Sequence, residues 1–308
     1  MQTNDSFICE PNIPIFVFSK MPEDIMIYQQ LNCMCLKLGS PNIIAIMVAY
    51  LVVILPLNVL VLHLTHQQWR RPSSAAVAAQ SDLITVHTSI MELMNIVGTV
   101  LTSSGVYSHT PYVVVVGLLP GMVNMNAVML FHTLTCVERY LAVVHPIAYL
   151  GLKNAKGIRI RNINIGAIWM MSFGGCMTLI LTILPFTVIS LFSISFNLVV
   201  VCFCSLSVLC ALVRPGPADR FGRRQQVDQS KLRAFHTIMI ILCVLLFKFG
   251  GYILCFALYV TQVLSNTEKC YLWTSLFWFC LPSNLVLPLL FLHRAGKLCC
   301  CKTRQQSD

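Results

Sequence analysis

The sequence predicts an all-α membrane protein with seven transmembrane helices, because of its composition, its long apolar segments and the placement of its cations. Of the 308 residues, 57% are hydrophobic and 10% are charged, whereas a soluble domain carries about 25% charged residues. Together with a mean hydropathy of +0.76, this composition excludes a soluble enzyme, a disordered chain and a nucleic-acid-binding domain. A chain of this kind needs lipid as its solvent.

Seven apolar segments are each long enough for a helix that crosses the hydrocarbon core, which takes about 20 residues. None alternates with the period of two that is typical of a membrane β-barrel. In chain order the segments are Pro41–Leu64, Ser74–Gly98, Pro111–Leu141, Ile163–Phe186, Ile189–Val213, Arg233–Val263 and Tyr271–Leu292. They predict a helical domain over residues 41–292, between a tail of residues 1–40 and a carboxyl-terminal region of residues 293–308.

The division between the fourth and fifth segments rests on length. From Ile163 to Val213 the chain has no charged residue. A single helix over this stretch would be about 75 Å long, more than twice the thickness of the hydrocarbon core. Because proline cannot continue a helix ladder, we expect two helices joined by a tight turn after Pro185.

Charge placement predicts the orientation. With seven crossings and the amino terminus outside, 16 of the 21 lysines and arginines fall in cytoplasmic stretches, as the positive-inside rule requires. With six crossings, the six cations from Arg214 to Arg233 would lie outside. The tail lacks the positive start of a secretory signal, so we expect it to be uncleaved and extracellular, with N-glycosylation at Asn4. These expectations describe a multi-pass protein of the plasma membrane whose carboxyl terminus is cytoplasmic.

Ionisable residues inside a bilayer are costly, so each is a candidate functional residue. The second segment carries Asp82, Thr85, Ser89 and Glu92 at spacings that place them on one helix face. Thr85 and Ser89 are expected to hydrogen-bond neighbouring helices only. For the two acids we expect a function.

Two depths follow from the helical rise. Asp82 and Asn284 both lie about 14 Å from the cytoplasmic face, where oxygen ligands could hold a small hard cation. The expected sodium ligands, and the only cofactor site expected, are Asp82, Asn124, Ser283 and Asn284. Glu92 and Lys248 lie roughly 28 and 25 Å from that face, so they share the outer half either as an ion pair or as ligand contacts.

The third segment ends in Glu138-Arg139-Tyr140, followed shortly by His145-Pro146. This string resembles the E/D-R-Y motif and following His-Pro turn of rhodopsin-like G-protein-coupled receptors. Other matches to this family are Asn58 in the first segment, Ser81-Asp82-Leu83 in the second, Trp169 in the fourth and Leu287-Pro288-Leu289-Leu290-Phe291 where the seventh helix normally reads N-P-x-x-Y.

The resemblance implies an activation switch and a membrane-bound end. The switch would consist of Glu138, Arg139, Tyr140, Pro288 and Phe291, and its partner would be a heterotrimeric G protein. His293 to Lys302 would form a short amphipathic eighth helix. Juxtamembrane palmitoylation is expected at Cys299, Cys300 and Cys301.

The chain also departs from the family pattern. No cysteine occurs between Cys35 and Cys136, and the second extracellular loop is nearly absent, so the usual disulfide cannot form. Cys270 could instead pair with one of three tail cysteines, and the sequence does not choose among Cys9, Cys33 and Cys35.

Two helices that move in activation are altered as well. A stretch containing Gly250 and Gly251 replaces the aromatic-x-Pro stretch of the sixth helix, and a Gly pair can still localise a bend. Leu287 replaces the asparagine of N-P-x-x-Y, and Phe291 replaces its tyrosine. These replacements weaken the water-mediated contacts of activation.

The ligand class is constrained by what the third segment lacks. Gly121 and Met122 stand where amine receptors of this family present an aspartate, which argues against a biogenic amine. The expected pocket residues are Glu92, Gly121, Met122, Lys248, Tyr252 and Trp273. Lys248 would attract an acid or a lipid headgroup.

We therefore expect a receptor that binds an unidentified extracellular or lipid-phase small molecule and activates a heterotrimeric G protein at the membrane. One alternative is a non-signalling or chemosensory seven-helix homologue. Another is a multi-pass transporter, although the sequence lacks the internal repeats common in that class. No nucleophile–base pair or metal-ligand spacing favours an enzyme.

Overall fold

The computed structural model describes residues 40–70, 75–108, 110–152, 154–181, 186–213, 224–260 and 264–294, and all regular secondary structure in them is helical. The elements are α1 (Ser40–Ala49), a π-helical segment (Tyr50–Ile54), α2 (Leu55–Trp69), α3 (Ala75–Tyr107), α4 (Pro111–Val144), α5 (Pro146–Leu152), α6 (Ala155–Leu181), α7 (Phe186–Val213), α8 (Arg224–Val260) and α9 (Asn266–Arg294). The prediction of an all-α chain is confirmed.

The first three elements follow one another without a break, and the π-helical segment lies in the middle. Pro56 is the second residue of α2, and its nitrogen cannot donate to the preceding turn. A π-helical turn is one way in which a helix absorbs such a local disruption. Tyr50, at the start of this segment, is 2% exposed and faces the interior.

Five stretches are long and apolar enough to cross a membrane within the described part of the chain. They are Asn42–Trp69, Leu83–Tyr107, Tyr112–Val144, Leu191–Ala211 and Thr274–His293. A shorter apolar stretch, Met239–Cys255, lies in α8. These helices make the chain a membrane protein by length and composition.

The helix ends differ from the apolar segments. α6 begins at Ala155 and α8 at Arg224, eight and nine residues before the segments that predicted them. The added turns are rich in Lys, Arg and Gln, which are good helix formers. Hydropathy identifies only the part of a helix that lipid would cover. The apolar segments therefore did not include these polar turns.

The short helix α5 was not predicted either. It starts at Pro146, directly after His145, whose dihedral angles end α4. Proline is favoured at the first position of a helix because its missing N–H would have no intrahelical partner there.

Helices α3 and α4 touch backbone to backbone. A Cβ atom on Gly117 would lie 2.5 Å from the backbone nitrogen of Thr102, and one on Gly105 would lie 2.6 Å from that of Val114. Only glycine permits such an approach, and small residues are typical of helix contacts in membranes. This contact fixes the two helices that carry most of the candidate site.

Helix α4 belongs to both large apolar clusters of the core. One cluster joins it to α7, α8 and α9 around Phe249, and the other joins it to α3 and α6 around Phe131. By contrast, one face of α7 is apolar and outward, with more than half of each side chain exposed at Phe192, Phe196, Val199, Phe203 and Leu206. Lipid is the solvent that such a face requires.

Candidate functional site

A buried carboxylate lies at the centre of the candidate site. Glu92 in α3 is 1% exposed. Its Oε1 accepts a hydrogen bond of 3.3 Å from Nδ2 of Asn124 in α4. Its Oε2 accepts one of 3.1 Å from Nδ2 of Asn284 in α9. One side chain therefore joins three helices, and its two oxygens are held by separate donors.

The same network reaches the π-helical segment. Nδ2 of Asn284 also donates to the Tyr50 hydroxyl at 3.1 Å. Oδ1 of Asn284 accepts from the Ser283 hydroxyl at 3.2 Å. Asn95, one turn after Glu92, interacts with both Glu92 and Tyr50. We call Tyr50, Glu92, Asn95, Asn124, Ser283 and Asn284 the Glu92 cluster.

Sequence reasoning missed two members of this cluster. Asn95 follows Glu92 by three residues, so it lies on the same helix face, and that spacing could have identified it. Tyr50 stands in an apolar run, where an aromatic side chain is usually part of the core. No signal in the sequence singled it out.

A cavity of about 110 Å³ lies beside the cluster. Its walls come from α1, the π-helical segment, α3, α4, α8 and α9. The lining residues are Ile43, Ile46, Tyr50, Asn95, Thr99, Thr102, Gly117, Leu118, Gly121, Met122, Asn124, Met125, Asn126, Val128, Lys248, Tyr252, Leu276, Phe277, Cys280 and Asn284. The cavity therefore combines an apolar wall with amide groups and one lysine.

Lys248 is the one charged residue among the described residues that line this cavity. It is 2% exposed, and its charge interacts with that of Glu92. In the described part of the chain, no direct ion pair or hydrogen bond joins the two side chains. Depth alone left an ion pair and ligand contacts as alternatives, and the geometry is that of two nearby but separate charges.

Four of the predicted pocket residues line this cavity, namely Gly121, Met122, Lys248 and Tyr252. The Tyr252 hydroxyl lies 2.6 Å from Sγ of Cys280, another lining residue. Glu92 stands behind the wall and reaches the cavity through Asn124 and Asn284. Trp273 belongs to α9, but its side chain lies outside the described positions.

The predicted sodium ligands are distributed differently. Asn124 and Asn284 donate to Glu92, and the Ser283 hydroxyl donates to the Cys280 carbonyl at 2.8 Å. Asp82 lies in α3, ten residues or about 15 Å before Glu92, and its side chain is outside the described positions. Among the described residues, no group of three or more His, Cys, Asp or Glu side chains could hold a metal ion.

The motif of the third segment lies at the far end of α4. Glu138 interacts electrostatically with Arg161 in α6 and with its neighbour Arg139. The Tyr140 hydroxyl forms a 3.0 Å hydrogen bond with Nε2 of His145, and its ring packs 5.7 Å from that of Phe203 in α7. Arg161, for which the sequence predicted no role, is therefore a partner of the motif.

The remaining switch residues lie in α9, where Pro288 is inside the helix and Phe291 packs against Val61 of α2. Gly251 of α8, expected to localise a bend, packs under a ring: a Cβ there would lie 2.5 Å from Phe279.

Several expectations fall outside the described residues and stay predictions. They are glycosylation at Asn4, palmitoylation at Cys299, Cys300 and Cys301, the eighth helix, and the pairing of Cys270 with Cys9, Cys33 or Cys35. Cys270 lies on the helical backbone of α9, but its side chain is not among the described positions.

The chain matches no model of a known protein family and no curated protein sequence. A functional assignment therefore depends on the residues of the chain itself. The Glu92 cluster, the cavity with Lys248 and the Glu138-Arg139-Tyr140 motif are the three features available to it, and α4 contributes to all of them.

Proposed function

We propose that the protein is a rhodopsin-like G-protein-coupled receptor that binds a small ligand in the cavity and activates a heterotrimeric G protein. One observation carries the proposal: the same helix, α4, lines the cavity and bears the motif. Met122 in the cavity wall and Arg139 in the motif are 17 residues apart, or about 26 Å along the helix. A rigid element of this length can connect an outer ligand site with an inner partner site.

The charges at the inner end support a two-state switch. Glu138 interacts with both Arg139 and Arg161, so the acid can hold Arg139 back from a partner in the resting arrangement. A ligand that contacts α4, α8 and α9 with different affinity in two helix arrangements would shift the population between them. Arg139 would then be released towards the G protein.

The proposed topology has seven crossings, an extracellular amino terminus and a cytoplasmic carboxyl terminus. The concentration of 16 of the 21 lysines and arginines in the stretches that this topology places inside supports it. Epitope tags at the two ends test it in intact cells. An antibody should reach only the amino-terminal tag before permeabilisation, and access to both tags would contradict an odd number of crossings.

The G-protein step is tested by Arg139→Ala in cells that express the full chain. We expect normal surface expression and loss of basal nucleotide exchange on the G protein. Arg159→Ala is the matched control, because Arg159 is an exposed arginine of α6 near the same end. Nucleotide exchange that is equal in the two variants would contradict the role of Arg139.

Glu138→Gln should change basal nucleotide exchange in the opposite direction. Removing the acid takes away the charge that interacts with Arg139 and Arg161. We expect basal exchange to rise above that of the unaltered receptor at equal surface expression. A fall in exchange would show that Glu138 supports the active arrangement instead.

A further inference from the structure

Among the described residues that line the cavity, Lys248 is the one with a charged side chain. The side chain of Lys248 is 2% exposed. Its neighbours in the cavity wall include Ile43, Ile46, Met122 and Leu276. An ammonium group away from water is costly unless an anion or a strong acceptor compensates it. The wall therefore favours a ligand with one anionic end and an apolar body.

The carboxylate nearest to this lysine is already engaged. Glu92 gives its two oxygens to the amides of Asn124 and Asn284 and stands behind the lining. Its charge acts on Lys248 over a distance, which lowers the cost of the buried ammonium. In the described part of the chain, Glu92 makes no direct contact with the ammonium, so the hydrogen-bond donors of Lys248 are left for a ligand that enters the cavity.

The size of the cavity limits the apolar body. Its volume is about 110 Å³, whereas an apolar cavity of about 150 Å³ holds one benzene molecule. A ligand enclosed here has a carbon chain of roughly three to five atoms by this comparison. Long-chain acids and lipid headgroups with two acyl chains are too large to be enclosed.

We propose that the cavity is a binding site for a short-chain aliphatic monocarboxylate, whose carboxylate is bound by Lys248 and whose alkyl chain lies among the apolar residues of α1, α4 and α9. The inference rests on the proposed receptor function, because it treats the cavity as the ligand site of that receptor. It adds the chemical class of the ligand. The bound ligand would make charge-assisted hydrogen bonds at its carboxylate end and apolar contacts along its alkyl chain.

The test measures binding of radiolabelled butyrate to the purified full chain in phosphatidylcholine nanodiscs, whose lipid carries no net charge. Unlabelled butyrate should compete, whereas butyramide, which has the same shape without the charge, should compete roughly tenfold to a hundredfold more weakly. Decanoate should compete more weakly, because only part of its chain fits into the volume of about 110 Å³. Equal competition by butyramide or by decanoate would overturn the proposal, as would the absence of saturable butyrate binding.

Variants locate the anion contact. Lys248→Met keeps the length of the side chain and removes the charge, so we expect butyrate affinity to fall by roughly tenfold or more. Because this variant leaves Glu92 without its nearby cation, the double variant Glu92→Gln/Lys248→Met is measured as well. It removes both charges and should lose the preference for butyrate over butyramide. Lys156→Met, at an exposed lysine of α6, is the control and should leave both affinities unchanged.

Binding is measured here without a G protein. The ligand class and the receptor function can therefore fail separately. If the unaltered protein bound butyrate and butyramide equally well, the ligand class would be overturned. If Arg139→Ala left nucleotide exchange unchanged, the receptor function would be overturned. If butyrate affinity is unchanged both in Lys248→Met and in Glu92→Gln/Lys248→Met, Lys248 does not bind the carboxylate and has only a structural role.

Discussion

Asn284 in α9 donates a hydrogen bond to Glu92 in α3 across 192 positions of the sequence, at a distance of 3.1 Å. The same nitrogen lies 3.1 Å from the Tyr50 hydroxyl, so one amide ties α9 to the π-helical segment and to α3. A buried carboxylate that lost this donor would keep only part of its compensation. The Asn284–Glu92 contact therefore links the stability of the bundle to the shape of the cavity.

Replacing Asn284 by alanine should destabilise the protein. A hydrogen bond to a buried charged group contributes roughly 1.5–3 kcal/mol, and this variant removes it. The control is Asn126→Ala, because within the part of the chain that the structure describes Nδ2 of Asn126 donates only to the Met122 carbonyl of its own helix, at 3.4 Å. Thermal unfolding followed by circular dichroism should show a clearly lower Tm for Asn284→Ala than for Asn126→Ala. Equal Tm values would mean that the contact with Glu92 contributes little.

Glycine-to-alanine changes at two positions should have opposite effects on the stability of the protein. Gly117→Ala places a methyl group 2.5 Å from the Thr102 backbone nitrogen, so α3 and α4 must separate, at a cost of roughly 1–3 kcal/mol. Gly166 in α6 has no atom within 4 Å of the added carbon, and alanine there should stabilise the helix by about 0.5–1 kcal/mol. The measurement is the Tm of each variant in one detergent. A stable Gly117→Ala protein would contradict the close helix contact.

The start of α9 should respond to acid. The backbone N–H of Ser265 and then its hydroxyl donate to the Glu268 carboxylate, and these bonds lower the pKa of Glu268 below its usual 4.5. Because the folded pKa is depressed, the capping contribution is present above pH 4.5 and is lost as the pH falls through the lowered value. Ser265→Ala removes the hydroxyl alone, so the Glu268 pKa should rise part of the way back.

A ¹³C NMR titration of the Glu268 carboxyl carbon measures this pKa directly. Glu268→Gln identifies the resonance and should abolish the acid-dependent change in hydrogen exchange of the first turn of α9. A Ser265→Ala titration that coincides with that of the unaltered protein would show that the hydroxyl makes no contribution.

Asn42 should couple the stability of α1 to that of α9. Its Nδ2 donates to the Thr274 hydroxyl at 2.9 Å, and its Oδ1 accepts from Nε1 of Trp278 at 2.9 Å. Each bond contributes about 0.5–1.5 kcal/mol, so Asn42→Ala should lower the stability more than Trp278→Phe, which removes one bond. The double variant should be less destabilised than the sum of the two changes. Strict additivity would indicate that the two side chains do not interact.

The course of the helices was largely predictable, because each later apolar segment lies for most of its length in one described helix, and Pro41–Leu64 lies in the unbroken run of α1, the π-helical segment and α2. We predicted a turn after Pro185, but α7 already begins at Phe186, and residues 182–185 lie outside the described residues. The helix ends were less predictable: α6 begins at Ala155 and α8 at Arg224, where polar residues form helix as readily as apolar ones. The capping residues Ser265 and Glu268 were a readable signal that sequence reasoning did not use.

The sequence predicted most of the residues that belong to the candidate site, but it predicted only in part which of them contact each other. Glu92 and Lys248 were selected because ionisable groups in apolar helices are costly, and both are buried in the interior. The depth estimate placed Asn284 level with Asp82 but did not predict that the amides of Asn284 and Asn124 both donate to Glu92. A helical rise yields the height of a residue, but two side chains at similar heights meet only if their helices face each other.

The order of residues along the chain, by itself, established that the protein is helical and requires lipid, because hydropathy and the 3.6-residue period are local properties. It also selected the polar residues that have no place in an apolar helix. Which of them touch was decided by the rotation and separation of the helices. Those depend on close contacts such as Gly117 against Thr102, since packing between distant segments has no counterpart in a local pattern.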